Sequence, residues 1–173
     1  FEKFPSTKPG WTTLSLKTAS KFDCVFAIAQ CTKAGSSHSG DSHSVQRLND
    51  DRFMFALCDG MGSGREAENT SEVAIGLIEN FYKAGFESEL VLSSVNKLLS
   101  LQREEKFSAL DVCVLDLKNG LADFIKMASP ISIILSSEEA KIVGSGALPL
   151  GIVDKAVPAT KKMVVSSGDN IVL

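Results

Sequence analysis

The sequence has no apolar run long enough to cross a bilayer: its longest, around residues 25–29 and 53–58, fall far short of the roughly 18 residues a spanning helix needs. It has no basic surplus either. Eighteen Lys+Arg stand against 21 Asp+Glu, for a net charge of -3, so the broad positive footprint that nucleic acid or anionic lipid demands is excluded. Residues 1–10 carry Glu2, Lys3, Pro5, Lys8 and Pro9 and no apolar core, so no targeting signal is visible. The four cysteines, Cys24, Cys31, Cys58 and Cys113, form no C-x-x-C pair, which argues against a zinc site and against a disulfide framework. They are predicted to be reduced core residues of a cytoplasmic protein. No internal repeat is present. What the chain does have is 173 residues, 44% of them hydrophobic, which suits one domain with one sizeable core.

Along the chain, residues 22–31 (FDCVFAIAQC) mix β-branched, aromatic and small apolar side chains and predict a buried strand. Residues 35–44 (GSSHSGDSHS) are small and polar and predict a loop carrying Asp41. A short segment at 44–48 and a strongly apolar one at 52–58, joined by Asn49, Asp50 and Asp51, predict an antiparallel hairpin. After Gly64 the period changes. Ala67, Ala74, Leu77, Ile78 and Phe81 fall on one helical face, and Ala84-Gly85 supplies a stop. A second helix is predicted from Ser88 to about Leu101, with enough apolar positions to be sandwiched between two layers. Strands are predicted at 111–117 and 121–127 around the Asn119-Gly120 turn, then at 131–135, 141–143, 162–165 and 170–173. Grouped strands, two helices and grouped strands again imply an α+β layered fold, mostly antiparallel, with the helix pair on one face.

The stretch FMFALCDGMGSG is where chemistry is most visible. A buried strand delivers Asp59 to its end, and Gly60, Gly62 and Gly64 follow, leaving the backbone free to turn tightly around something small. Hard cations such as Mg²⁺ or Mn²⁺ take carboxylate and carbonyl oxygens, so Asp59 with an open glycine carbonyl beside it is a suitable partial ligand set. Gly64 opens the helix, whose first amides could face an anion. Asp41 lies just before the strand expected to pair with the one ending at Asp59. Adjacent antiparallel strands would bring the two carboxylates together at the sheet edge.

Gly40-Asp41-Ser42, the turn Asp59-Gly60-Met61-Gly62-Ser63-Gly64, Phe107-Ser108-Ala109-Leu110-Asp111 and Val114-Leu115-Asp116-Leu117 together resemble the phosphatase domain of the stage II sporulation protein E family. That family is a branch of the metal-dependent PPM (protein phosphatase 2C) phosphatases. Leu148-Pro149-Leu150-Gly151-Ile152 and Gly168-Asp169 extend the similarity from about Phe22 to the end. The resemblance implies a PPM-type β-sandwich flanked by helices, two or more Mn²⁺ or Mg²⁺ ions, and hydrolysis of a phosphoserine on an anti-sigma-factor antagonist during sporulation. Residue by residue it implies that Asp59 bridges two metals, Gly60 contributes its carbonyl and Asp41 holds one ion. Paired metals would lower the pKa of a bridging water and stabilise charge on the phosphoryl oxygens, so no side-chain nucleophile is needed. The helix pair, residues 65–101, resembles the family's switch element.

The family pattern continues past Gly168-Asp169 into another Asp-Gly turn and a last acidic ligand, which this sequence does not reach. The expectation is therefore a fragment of a longer chain, residues 1–21 forming an N-terminal extension and first strand and residues 22–173 a phosphatase domain with its C-terminal part missing. The alternative is a phosphatase-like interaction module without a complete metal site, gripping a protein partner or forming a homodimer through the helix pair. Membrane contact by this segment is not expected, although the whole protein could be membrane-anchored. Met127-Ala128-Ser129-Pro130 departs from the family, which usually has a glycine there. His38 and His43 are read as an exposed polar loop rather than zinc ligands, Arg65 as solvated rather than phosphate-binding, Asp116 as a turn residue, and Asp111 as too weak a candidate for a role around the metals.

Overall fold

The structure, a computed structural model, describes residues 2–4, 10–16, 18–32, 38–62, 64–101, 107–144 and 146–173. Residues 35–37 of the expected loop, and Ser63, lie outside them. Among the described residues the order is β1 (Glu2–Phe4), β2 (Thr13–Ser15), β3 (Asp41–Asn49), β4 (Arg52–Gly60), α1 (Arg65–Lys83), α2 (Ser88–Ser100), β5 (Ser108–Asp116), β6 (Leu121–Met127), β7 (Ser132–Leu135), β8 (Ala140–Val143), β9 (Ala159–Val164) and β10 (Asn170–Val172). β1 and β2 form a hairpin of their own; β3-β4-β5-β6-β9 form a five-stranded sheet and β10-β7-β8 a three-stranded one. Adjacent strands within each sheet run antiparallel. The architecture is an α+β sandwich of two antiparallel sheets with the helix pair on one side, as the sequence implies.

Strand alternation builds the layers. In β4, Met54, Ala56 and Cys58 point to the helices and join a core with Ala74, Ile78, Val91, Val95 and Leu99. Phe53 and Phe55 point the other way, into a second core with Cys113, Leu115, Phe124, Ile134 and Val143 that fills the space between the two sheets. Leu57 and Asp59 continue that second face beyond its covered part and are exposed. α1 buries Ala67, Ala74 and Ile78 of the predicted stripe and Ile75 beside them, while Leu77 and Phe81 are half-buried against the core, and the helix ends at Ala84, with Gly85 at φ 84°. No helix among the described residues is long and apolar enough to cross a membrane.

Several expectations need correction. Residues 22–31 form no strand. The N–H groups of Lys21 and Phe22 donate to Leu117 O, Phe22 and Cys24 pack on the inter-sheet core, and Phe26 stacks at 6.3 Å on Phe53. Their apolar character serves docking on a sheet face rather than ladder pairing, and Val25 and Ile28 remain exposed. Only Cys58 and Cys113 are core cysteines; Cys24 is half-buried and Cys31 exposed. The polar loop ends earlier than expected, because Asp41 and His43 already belong to β3. α2 is not sandwiched. It buries Val91, Leu92, Val95, Asn96 and Leu99 on one face, while Leu90, Leu98 and Leu101 are exposed.

The divergent Met127–Pro130 segment has a physical signature. Ala128 adopts φ 51°, and its N–H donates to Ala147 O at 3.1 Å. The left-handed conformation costs an L-residue roughly 1–2 kcal/mol, while glycine loses roughly 0.5–1 kcal/mol in chain entropy. Ala128→Gly is therefore expected to raise unfolding stability by about 0.5–1 kcal/mol in urea denaturation.

Candidate functional site

Register brings the two acids together. In the β3–β4 ladder Asp41 pairs with Asp59, Ser42 with Cys58 and His43 with Leu57. Directly opposite residues share a face, so both carboxylates lie at the open end of the inter-sheet layer. Ser39 Oγ donates to Asp41 Oδ2 at 3.2 Å and accepts the Asp41 N–H at 3.2 Å, orienting that carboxylate. Burial, and then the negative charge of Asp41, hold the Asp59 carboxyl above the ordinary carboxylate range. A cation placed between the two acids would remove that repulsion.

The glycines around the acids have separate reasons. A Cβ on Gly60 would stand 2.2 Å from Ala67 O, and one on Gly40 would stand 2.9 Å from Gly60 O. α1 is thus seated directly on the backbone that carries Asp59, and Gly60 N–H donates to Gly40 O at 3.0 Å beneath it. Gly62 and Gly64 are instead conformational, with φ 107° and 82° and open space where a Cβ would go. Met61 N–H donates to Phe107 O at 3.0 Å, so the start of β5 braces the turn as well. Gly64 is the N-cap of α1, which has no side-chain cap and carries Glu66 and Glu68 in its first turn. Those acids weaken the case for an anion at this helix end.

The remaining candidates separate. His38 Nδ1 meets Glu68 Oε2 at 2.6 Å, tying the segment before β3 to α1, whereas His43 is an exposed β3 residue. Arg65 is exposed at the first position of α1. Asp116 accepts hydrogen bonds from Lys118 N–H at 2.8 Å and Asn119 Nδ2 at 3.1 Å, as a turn residue should. Asp111 is buried and ion-paired with Lys126, and Ser132 Oγ donates to the same carboxylate at 2.6 Å. Lys126 and Ser132 were not singled out by the sequence reading. Counting outward from the Asn119-Gly120 turn places Asp111 opposite Lys126, a signal the sequence did contain. Among the described residues no three His, Cys, Asp or Glu side chains come together as a metal cluster.

A family model for stage II sporulation protein E (SpoIIE) matches residues 49–173. The chain belongs to the SpoIIE family. Asp59 and Gly60 fall within the matched span and Asp41 just before it. Stage II sporulation protein E of Priestia megaterium is 33% identical over 129 residues, 74% of this chain and 22% of that protein. The Bacillus subtilis (strain 168) protein of the same name is 27% identical over 165 residues, 95% of this chain and 20% of that protein. The chain therefore spans about a fifth of the length of these SpoIIE relatives. The structure of the PP2C phosphatase domain, with a fragment of the regulatory domain, of the cell-fate determinant SpoIIE from Bacillus subtilis superposes with a TM-score of 0.74 at 30% identity. That match covers 83% of this chain and 43% of the other.

Proposed function

We propose that this chain is phosphatase-domain sequence of a SpoIIE-family protein and that it removes phosphate from a serine-phosphorylated anti-sigma-factor antagonist in sporulation sigma-factor control. The observation that carries this reading is the pairing of Asp41 with Asp59 at the open end of the inter-sheet layer, beside the Gly60 backbone. Two carboxylates and a carbonyl are a hard oxygen set. They suit Mg²⁺ or Mn²⁺, which keep several waters and accept substrate phosphate oxygens as further ligands. Asp41 and Asp59 would hold the ions with Gly60 O. When bound, the ions supply charge for the phosphoryl oxygens and an acidified water. The chain's own part is to fix the two acids: Ser39 orients Asp41, β5 braces the turn after Asp59, and α1 rests on Gly60. A cytoplasmic location and a helix pair that serves as switch and homodimer surface accompany this reading, the exposed Leu90, Leu98 and Leu101 being available to a partner.

The second reading, a phosphatase-like interaction module, is favoured by one observation: two acids meet at the site where a full set would bring more, among the described residues. Phosphate release from the phosphoserine antagonist, measured with Mn²⁺ and with EDTA, separates the two. It is run on this chain and on a longer one matching the length of the relatives. Mn²⁺-dependent release from the longer chain supports the enzyme; binding of the antagonist with no release from either chain establishes the module.

A further inference from the structure

The buried Asp111–Lys126–Ser132 group has no part in the metal reading, and it is expensive. Lys126 and Ser132 are fully buried and Asp111 is 4% exposed, so two charges have been taken out of water. Asp111 Oδ2 accepts from both Lys126 Nζ and Ser132 Oγ, and Lys126 Nζ also donates to Ser132 Oγ at 2.5 Å. Asp111 Oδ1 is buried without a partner, so the carboxylate is not fully repaid for its burial. An apolar pair of similar volume would fill the place at no loss of stability in many proteins. What the charged group adds is directional: it joins three strands, β5 and β6 of the large sheet and β7 of the small one, at one point.

That point is next to the site. Asp111 pairs with Leu57 across β4, two residues before Asp59, while Ala109 pairs with Asp59 and Ser108 with Gly60. Asp111, Leu57, Ala109 and Asp59 share the inter-sheet face, whereas Ser108 and Gly60 alternate to the face that α1 covers. The leading end of β5 is therefore pinned at Asp111 on one side and holds the Asp59–Met61 turn on the other, through Phe107 O. We propose that Asp111, Lys126 and Ser132 are positioning residues, a clamp between the sheets that fixes β5 and through it the turn carrying Asp59 and Gly60. Its functional meaning rests on the metal reading of that turn; the clamp itself does not.

The test uses amide hydrogen exchange on the metal-free chain with D111L/K126M, which removes both charges and leaves no unpaired ion. A purely structural role would shift exchange throughout the sheet. The clamp instead lowers protection locally: the Gly60 and Met61 amides are expected to exchange about tenfold faster, while Leu117 N–H, bonded to Asp51 O at the far end of β5, changes less than about twofold. S132A keeps the ion pair and loses only the link to β7, and its expected local acceleration is about threefold, which decides the matter if the double variant does not fold. Uniform acceleration, or unchanged Gly60 and Met61, overturns the clamp. A parallel Mn²⁺ titration of the unmodified chain keeps the two ideas apart, since absent binding sinks the metal reading and leaves the exchange result standing.

Discussion

Gly60→Ala is expected to be the most damaging small substitution in the chain, costing about 3 kcal/mol or more of unfolding stability. A Cβ there would lie 2.2 Å from Ala67 O and 2.9 Å from Ala67 C, both backbone atoms of α1. No rotamer change can relieve such a clash; the helix must lift off or the strand end must shift. Either movement separates Ala67 from Gly60 and disturbs the hydrogen bond from Gly60 N–H to Gly40 O. The control lies in the same region. Gly76, within α1, has nothing within 4 Å of a built Cβ, and Gly76→Ala is expected to stabilise by about 0.5–1 kcal/mol through helix propensity. Guanidinium denaturation of the two variants reads both signs. Equal behaviour of the two would remove the argument that α1 is seated on the site's backbone.

Asp59→Asn is expected to lower Mn²⁺-dependent phosphate release by about a hundredfold or more in a chain that shows it, because charge stabilisation at the reacting phosphoryl group is lost. The fold should survive. Asp59 sits at an open strand end, and partial desolvation of its carboxyl, with the charge of Asp41, holds it above the ordinary range, so the neutral amide removes an unfavourable charge rather than a supporting one. Without metal the variant should melt no lower than the parent. With Mn²⁺ the parent should gain thermal stability by mass action and the variant should not. Retained turnover in Asp59→Asn would mean that the paired acids are not where the reaction is supported.

How far the sequence reveals these features depends on whether the cause is local. The α1 stripe through Ala67, Ala74 and Ile78, and β6 at residues 121–127, follow from periodicity and a strong Asn-Gly turn, and they stand where the pattern places them. Residues 22–31 mislead because an apolar segment lying across a sheet has the same composition as a strand within one. Asp41 reads as loop because β3 is an edge strand with few apolar residues at its start, so its ladder to β4 leaves no hydrophobic trace. The motif around Asp59 is legible from its glycines, yet the reason for Gly60 is not. Gly62 and Gly64 answer to backbone torsion, whereas Gly60 answers to a helix packed on it from further along the chain. Lys126 escapes notice for a similar reason: a lysine between Ile125 and Met127 passes for a solvent-facing residue until the β5–β6 register sets it against Asp111.

The measurement that bears most directly on this account is a Mn²⁺ titration of the 173-residue chain followed by paramagnetic broadening of backbone amides, beside Asp41→Asn and Asp59→Asn. Saturable broadening centred on Asp41, Asp59 and Gly60, lost in both variants, is the expected result. Broadening that both variants keep, or that centres elsewhere in the chain, would contradict the assignment of this strand pair as the metal-holding site.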